Sequence, residues 1–196
     1  MVTEWEYDIY AKTPFTVIRL EDISKRIDLM DKRCQETISA FGCFGCKTKS
    51  LYLKAYIPFT GYASGQEIRV TIYIFNKCGF DVSRTVISLK RQHTCNSIKP
   101  EKKVIVDSKS IAKTICEGVK NNCEKKILGV ILIPKMTLNS TENSLTINPI
   151  CKLSHFLQVS ACVIGFYQSP KVQFKVTIGT KPLNYEYKLQ QDSVSC

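Results

Sequence analysis

The sequence predicts an all-β protein, an immunoglobulin-like antiparallel β-sandwich, and three observations lead to that prediction. Seven runs have a strand pattern, and most of them alternate apolar and polar side chains, which is the period of a strand with one buried face. Val, Ile, Thr, Tyr and Phe fill these runs, while Asn, Gly, Ser and Pro fill the gaps between them. No window keeps the 3.6-residue period of a helix over a dozen positions, so crossover helices are not expected.

The first two predicted strands are Leu51–Pro58, which ends at a proline, and Glu67–Lys77. The second strand places four apolar residues on one face, namely Ile68, Val70, Ile72 and Ile74. Gly61 and Gly65 lie just before it, and glycine tolerates positive φ, so the chain can turn twice there. The ring of Tyr62, between the glycines, is expected to lie over the end of the core.

Five further strands follow. The strand from Val82 should bury Thr85, Ile87 and Leu89 and expose Arg84, Ser88 and Lys90. A shorter run around Val104 could continue toward Ile115. Lys125–Lys135 is apolar on both faces, which predicts a central strand covered on both sides. The last two strands should bury Leu157, Val159, Ala161 and Val163 in one, and Val172, Phe174, Val176 and Ile178 in the other.

The positive charge is unevenly distributed along the chain. The net charge is +11, and residues 1–50 balance eight Lys and Arg against eight Asp and Glu, so the whole excess lies in residues 51–196. A basic module attracts acidic or phosphorylated peptides or anionic lipid headgroups. Nucleic acid is not expected as a partner, because the cations are scattered over alternating strand positions and no nucleic-acid-binding motif occurs. The candidate anion-binding residues are Arg69, Arg84, Lys90, Lys171 and Lys175.

Most of the cysteines are expected to be reduced. The N-terminal stretch MVTEWEYDIYAK is acidic and has no apolar core, so a secretory signal is not predicted and a cytosolic location is the default. Several of the ten cysteines, such as Cys162, should then act as small buried hydrophobic residues. Cys43 and Cys46 form one C-x-x-C pair with Cys34 as a third candidate, but a structural zinc site needs four ligands. Neither a metal nor a cofactor is predicted.

An enzyme is not predicted. Catalysis would require a base held near a nucleophile or a pair of carboxylates. The sequence contains no Gly-x-Ser-x-Gly motif and no phosphate-binding loop, and its two histidines, His93 and His155, lie in predicted strand contexts. A histidine in such a position is more often structural than catalytic.

Several short motifs, in one order, resemble the arrestin-domain proteins and are most similar to the alpha-arrestins. They are Phe15-Thr16-Val17 with Glu21-Asp22, the cysteine-rich Phe41–Cys46, and Pro58, Gly61, Tyr62 and Gly65, followed by Ile133-Pro134 and Ile178–Leu183. Gln66 stands where the family more often has glutamate. This resemblance implies the end of an amino-terminal arrestin domain at 1–24, a hinge at 25–50, a carboxy-terminal arrestin sandwich at 51–181 and a tail at 182–196. The remnant and hinge, residues 1–50, are expected to pack poorly on the sandwich.

The resemblance implies a non-enzymatic adaptor that binds membrane-protein cargo, such as receptors or transporters, for trafficking in the cytoplasm, peripheral to the plasma membrane or endosomes. Family members carry Pro-Pro-x-Tyr segments that dock WW domains of ubiquitin ligases, but no Pro-Pro pair occurs in these 196 residues. Ligase recruitment is therefore in doubt, and the chain is expected to be a fragment or an incomplete gene product. The alternative is an extracellular Ig-like module with paired cysteines and a glycan at Asn139.

Overall fold

The alternating runs form nine strands in a computed structural model of the chain, which describes residue 12 and residues 22–41, 49–97, 103–135, 151–165 and 169–184. One 3-10 turn, Ile27–Leu29, precedes the first strand, and no α-helix occurs in these ranges. The strands in chain order are β1 (Arg33–Phe41), β2 (Lys49–Ile57), β3 (Gly61–Ala63), β4 (Glu67–Lys77), β5 (Val82–Ser97), β6 (Lys103–Cys116), β7 (Cys123–Leu132), β8 (Cys151–Val163) and β9 (Lys171–Gly179).

Backbone hydrogen bonds join the strands into two sheets. One sheet has four strands in the order β1-β2-β4-β7, and the other has five in the order β3-β9-β8-β5-β6. The described strand pairs are antiparallel except β3 with β9, which run parallel. The apolar faces of the two sheets share one core, so the predicted β-sandwich is confirmed.

The core is formed by the side chains that alternation predicted. The four isoleucine and valine positions of β4 are at most 1% exposed, and the four inward positions of β9 are at most 5% exposed. Burying such a side chain contributes about 1.5–3 kcal/mol relative to leaving it in water. The inward sets of β5 and β8 are also buried. The seven predicted strands correspond to β2 and to β4 through β9, whereas β1 and β3 were not predicted.

The turn before β4 uses its two glycines in different ways. Gly65 has φ +84°, which glycine adopts without the steric cost that a Cβ would bring. Gly61 lies in β3 instead, where an added Cβ would be 2.9 Å from the Cβ of Leu29, so it allows close packing. Tyr62 is fully buried, and its ring lies 4.6 Å from that of Phe59, centroid to centroid. The prediction that this ring covers the end of the core is confirmed.

Asn76 binds three backbone groups at one end of the sandwich. Its side chain is completely buried near the end of β4. The amide nitrogen donates hydrogen bonds to the carbonyl oxygens of Phe80, at 2.9 Å, and Val119, at 3.1 Å. The amide oxygen accepts a hydrogen bond from the backbone N–H of Cys78, at 3.2 Å. One side chain therefore links the β4–β5 loop to the β6–β7 loop.

Further hydrogen bonds join the same two loops. Asn121 accepts one from the Gly79 N–H, at 2.9 Å, and its own N–H donates to the Asp81 carboxylate, at 2.7 Å. The backbones of Val82 and Val119 exchange two hydrogen bonds of 2.9 Å each. These contacts join the β6–β7 loop to the β4–β5 loop and to the start of β5, so the two loops are fixed as a unit.

The prediction that Lys125–Lys135 forms a central strand is wrong. In the described structure β7 is the edge strand of the four-stranded sheet, paired only with β4. Its inward residues include Ile127 and Ile131, which are buried, but its other face is in solvent. The apolar outward residues that misled the prediction are Leu128, Val130 and Leu132, which are 74%, 43% and 57% exposed.

The described part of residues 1–50 packs on the sandwich, so the expectation of poor packing is wrong there. Strand β1 lies within the range predicted as a hinge and pairs with β2 over its whole length. Ahead of it, three apolar residues form a second buried cluster with Leu183, and these are Ile23, Leu29 and Met30. The sequence range 1–21 and residues 42–48, apart from Lys12, lie outside the described residues.

A charged contact also holds this segment near the end of β9. The carboxylate of Asp22 accepts a hydrogen bond from the Ser24 N–H, at 2.9 Å, and forms an ion pair with Lys181, at 3.2 Å. Hydrogen bonds from Ser24, and then from Lys181, lower the pKa of Asp22 from 3.8 to about 2. Because the pKa is lowered, the contact contributes stability above pH 3.8 and loses it as the pH falls through about 2.

We expect an NMR titration of the Asp22 side-chain carbon to have its midpoint near pH 2. In a Lys181→Ala variant the midpoint should rise only part of the way, because Ser24 contributes more to the shift than Lys181 does. A midpoint near 3.8 in the unmodified chain would show that the Asp22 contacts are not formed in solution.

Candidate anion-binding face

Four of the five predicted cations lie on one surface. Arg84 and Lys90 are on β5, and Lys171 and Lys175 are on β9, in the same five-stranded sheet. In each strand they alternate with buried residues, so their side chains point away from the core. The register places Lys175 opposite Phe156 of β8, and Phe156 opposite Lys90. These four side chains therefore share the outward face of the five-stranded sheet.

Arg69 does not join them. It is exposed on β4, in the four-stranded sheet, where it pairs with Val130 of β7. The two sheets pack through their inner faces, so the outward face that carries Arg69 is on the opposite side of the sandwich. A single binding surface cannot include all five predicted residues.

Two more lysines, which the sequence did not single out, belong to the same face. Lys113 of β6 pairs with Ser88, and Lys152 of β8 pairs with Thr94. Both are exposed. Ser88 was predicted to be exposed and is only 6% exposed, because its short side chain sits between the longer Gln158 and Lys113. We call the set Arg84, Lys90, Lys113, Lys152, Lys171 and Lys175 the basic face.

The basic face contains no carboxylate among the described residues. Asp107 is the one acidic residue within β5, β6, β8 or β9. It pairs with His93, which lies at an inward position of β5, so Asp107 is not on the outward face. None of the six cations forms an ion pair with a described carboxylate. The residues between them are mostly neutral and polar, including Gln158, Ser160 and Gln173. Within the part of the chain that the structure describes, the positive charge on this face is therefore uncompensated.

The outward face of the four-stranded sheet differs in this respect. There Glu36 accepts a hydrogen bond from the Tyr52 hydroxyl, at 2.6 Å, and pairs with Lys54, at 3.4 Å. The Tyr52 hydroxyl, and then Lys54, lower the pKa of Glu36, while the same hydrogen bond raises the pKa of Tyr52. This face carries three carboxylates, Glu36, Glu67 and Glu124, beside its cations, so it offers a weaker field to an anion.

Spacing on the basic face suits an extended anionic ligand. Neighbouring strands are about 4.8 Å apart, and residues four apart along a strand are separated by about 13 Å. Lys90 and Lys175 are two strands apart, and Lys171 and Lys175 are four residues apart on one strand. Such distances let several separate carboxylates or phosphates each meet a cation.

Other candidate sites receive no support from the described residues. No group of His, Cys, Asp or Glu in the described ranges is placed to hold a metal ion, and Cys43 and Cys46 lie outside those ranges. Cys162 is half-buried on the outward side of β8, and the buried thiol of the core is Cys78 instead. The described ranges contain no helix long and apolar enough to cross a membrane.

Comparison with protein families identifies the sandwich. Residues 47–183 match the model of the family described as arrestin (or S-antigen), C-terminal domain. The chain belongs to the arrestin family. The matched range contains β2 through β9 and hence every residue of the basic face. Strand β1 precedes the matched range of this arrestin domain.

A solved structure with a similar arrangement is that of Spo0M, a sporulation control protein from Bacillus subtilis. It is 9% identical to the arrestin domain described here, with a TM-score of 0.49, and the match covers 67% of this chain and 50% of that one. The matched region thus spans half the length of Spo0M. No curated protein sequence matches the chain. Arrestin family membership supports a general adaptor role and points away from catalysis.

Proposed function

We propose that this arrestin domain is part of a non-enzymatic adaptor that binds the cytoplasmic tails of membrane proteins, such as receptors or transporters, during intracellular transport. The observation that carries the proposal is the basic face, with six cations and no described carboxylate. The adaptor works in the cytoplasm, at the plasma membrane or at endosomes, where such tails are found. It neither needs a cofactor nor performs a reaction.

The cations of the basic face indicate which kind of tail it can bind. An exposed ion pair contributes about 0–1 kcal/mol, so a single acidic residue would bind too weakly to be useful. A tail with several acidic or phosphorylated residues meets several cations at once, and each phosphate carries about two negative charges at pH 7. Attraction of this kind decreases as salt rises, because exposed charges are screened beyond about 8–10 Å at physiological ionic strength.

A peptide suits this surface better than a lipid bilayer does. The neutral side chains between the cations, such as Gln158 and Gln173, can both donate and accept hydrogen bonds. A peptide backbone offers partners for both, whereas a headgroup layer offers chiefly anions. Binding to anionic liposomes is accordingly an outcome that the test must measure.

We expect the double variant Lys90→Glu/Lys171→Glu to bind an acidic or phosphorylated tail peptide about tenfold more weakly, since the two lost contacts together contribute up to about 2 kcal/mol and 1.4 kcal/mol is a factor of ten. Fluorescence anisotropy with the phosphorylated and the unmodified peptide, at low and high salt, measures this effect. The matched control is Arg69→Glu/Lys126→Glu, which reverses two exposed charges on the opposite outward face.

Equal losses in the two double variants would contradict a specific role for the basic face. Binding that does not depend on salt or on peptide charge would contradict the electrostatic mechanism. Pelleting of the chain with anionic liposomes, without binding to any tail peptide, would replace the proposed cargo with a lipid surface.

A further inference from the structure

Among the described residues, one edge of β9 lacks a partner strand over part of its length, beside the basic face. The Thr177 N–H points away from β8, because it donates to the Thr60 carbonyl at 2.8 Å, next to β3. The Pro170 carbonyl points the other way, because it accepts a hydrogen bond from the Ala161 N–H of β8 at 3.0 Å. Backbone groups alternate in direction along a strand, so those of residues 171, 173 and 175 also face away from β8.

No described strand pairs with this edge between residues 171 and 175. Strand β3 occupies the position beside β9 only as far as residues 177–179. Five residues of open edge correspond to about 16 Å of strand, at about 3.3 Å per residue. Three backbone N–H groups and three carbonyls there have no partner strand among the described residues.

A groove runs along this edge, under β1. Arg33 and Gln35 of β1 pair with Ile57 and Ala55, which are buried, so both side chains point toward the five-stranded sheet, yet both are exposed. They line a groove of about 430 Å³ together with Gln173 and Lys175 of β9. The inner face of β1 is polar at these positions and has no described strand beneath it.

The groove is positively charged. Its lining includes three cations, Arg26, Arg33 and Lys175, and one carboxylate, Asp28. The Arg26 guanidinium donates two hydrogen bonds to the Asp28 carboxylate, at 2.8 and 2.7 Å, and this contact lowers the pKa of Asp28. Asp28 is therefore neutralised locally, which leaves Arg33 and, where the groove meets the outward face, Lys175 without a carboxylate among the lining residues.

We propose that an extended acidic peptide binds in this groove as an added strand on the open edge of β9. Its backbone pairs with residues 171, 173 and 175, and its side chains alternate between the groove and the outward face. The outward side chains lie directly opposite Lys171, Gln173 and Lys175, so acidic residues four positions apart meet the two lysines. This inference rests on the proposed function and specifies how the tail is held.

Lysines on an edge strand have another use, since they discourage unwanted pairing between sheet edges of different molecules. That role would require no ligand. It predicts that binding of a peptide depends neither on which alternate backbone positions are blocked nor on the spacing of its acidic residues. The two roles therefore give different experimental results.

The test uses the full chain and short, labelled Ser/Thr peptides that carry two glutamates four positions apart. Methylating alternate backbone nitrogens on the side that pairs with β9 should weaken binding at least tenfold, because each methyl group removes a donor and blocks the edge. Methylating the other nitrogens should have little effect. A peptide with its glutamates three positions apart should bind more weakly, because one glutamate then faces away from the lysines.

A protein variant tests the same contact from the other side. Gln173→Pro removes the backbone N–H of residue 173, which points away from β8. Proline is tolerated on an edge strand when its N–H would not pair. We expect a tenfold loss of peptide binding, whereas Gln173→Ala, which keeps the N–H, should lose less than threefold. Unchanged thermal unfolding would show that both variants remain folded.

Equal effects of methylation at all positions, or equal binding by the proline and alanine variants, would overturn strand addition. The proposed function has a separate test. If Lys90→Glu/Lys171→Glu loses binding but methylation of the peptide has no alternating effect, the basic face remains the binding site and the added strand is excluded. If binding were lost neither in this double variant nor on methylation of the peptide, both the proposed function and the added strand would be overturned.

Discussion

Replacing Asn76 with alanine should lower the free energy of unfolding by about 3 kcal/mol. The substitution removes three hydrogen bonds: the Cys78 N–H loses its acceptor, and the carbonyls of Phe80 and Val119 each lose one of their donors. An unsatisfied buried polar group costs about 1–3 kcal/mol, and part of that cost is recovered as the loop ends shift toward water. Because Asn76 is completely buried, water does not replace the amide without such a shift. Urea denaturation followed by circular dichroism measures the change.

The matched control for Asn76→Ala is Lys77→Ala, at the next residue, whose side chain is exposed. A surface substitution of this kind usually changes stability by less than about 0.5 kcal/mol. A loss below 1 kcal/mol in Asn76→Ala would mean that the two loops do not depend on this side chain.

Replacing Gly118 with valine should destabilise the sandwich by a similar amount, about 3 kcal/mol, at the upper end of the usual cost of overpacking. A Cβ at this position would lie 2.1 Å from the Val82 carbonyl oxygen and 2.6 Å from that of Ser83. Both are backbone atoms, so no side-chain rotation relieves the contact. The Val82 carbonyl accepts a hydrogen bond from Val119, and moving it also disturbs the acceptor of Asn76.

Gly118→Ala should fall between the wild-type chain and Gly118→Val, since the first side-chain atom already makes the contact. Lys120→Ala, two residues away and exposed, is the control for changes in this loop. Denaturation curves in which Gly118→Val and Lys120→Ala coincide would show that the β6–β7 loop can move away from β5 at little cost. The double variant Asn76→Ala/Gly118→Ala should be less destabilised than the sum of its parts, because both changes act on Val119.

Most of the fold could be predicted because burial on one side of a strand leaves a period of two in the sequence. Ile68, Val70, Ile72 and Ile74 are an instance, and no helix could bury all four. Strand β1 escaped prediction because its inward positions include Arg33 and Gln35, so the period carries no apolar signal there. The sequence indicates less clearly where a strand lies within its sheet, which is why β7 was assigned to the centre on the apolar character of Leu128 and Val130.

The candidate site could be predicted only in part, for a related reason. Alternation indicates which residues of one strand point outward, but it does not show which sheet the strand joins. Lys90 and Lys175 are in the same row only because β8 lies between their strands. Arg69 has the same local pattern and lies on the other side of the protein. The open edge beside the groove exists because β3 is short, and the length of β3 cannot be predicted from the hydrophobic period.

The strand order also determines when the basic face can exist. Strand β5 pairs with β6, which follows it directly, and with β8, which is far along the chain, from Cys95 with Cys151 to Val82 with Val163. Closing the longer loop costs more chain entropy, so we expect the β5–β6 hairpin to form first during folding. While the chain is being synthesised, Arg84, Lys90 and Lys113 are made long before Lys152, Lys171 and Lys175 join them. The anion binding that we propose would thus be acquired by a newly made chain only when its five-stranded sheet is complete.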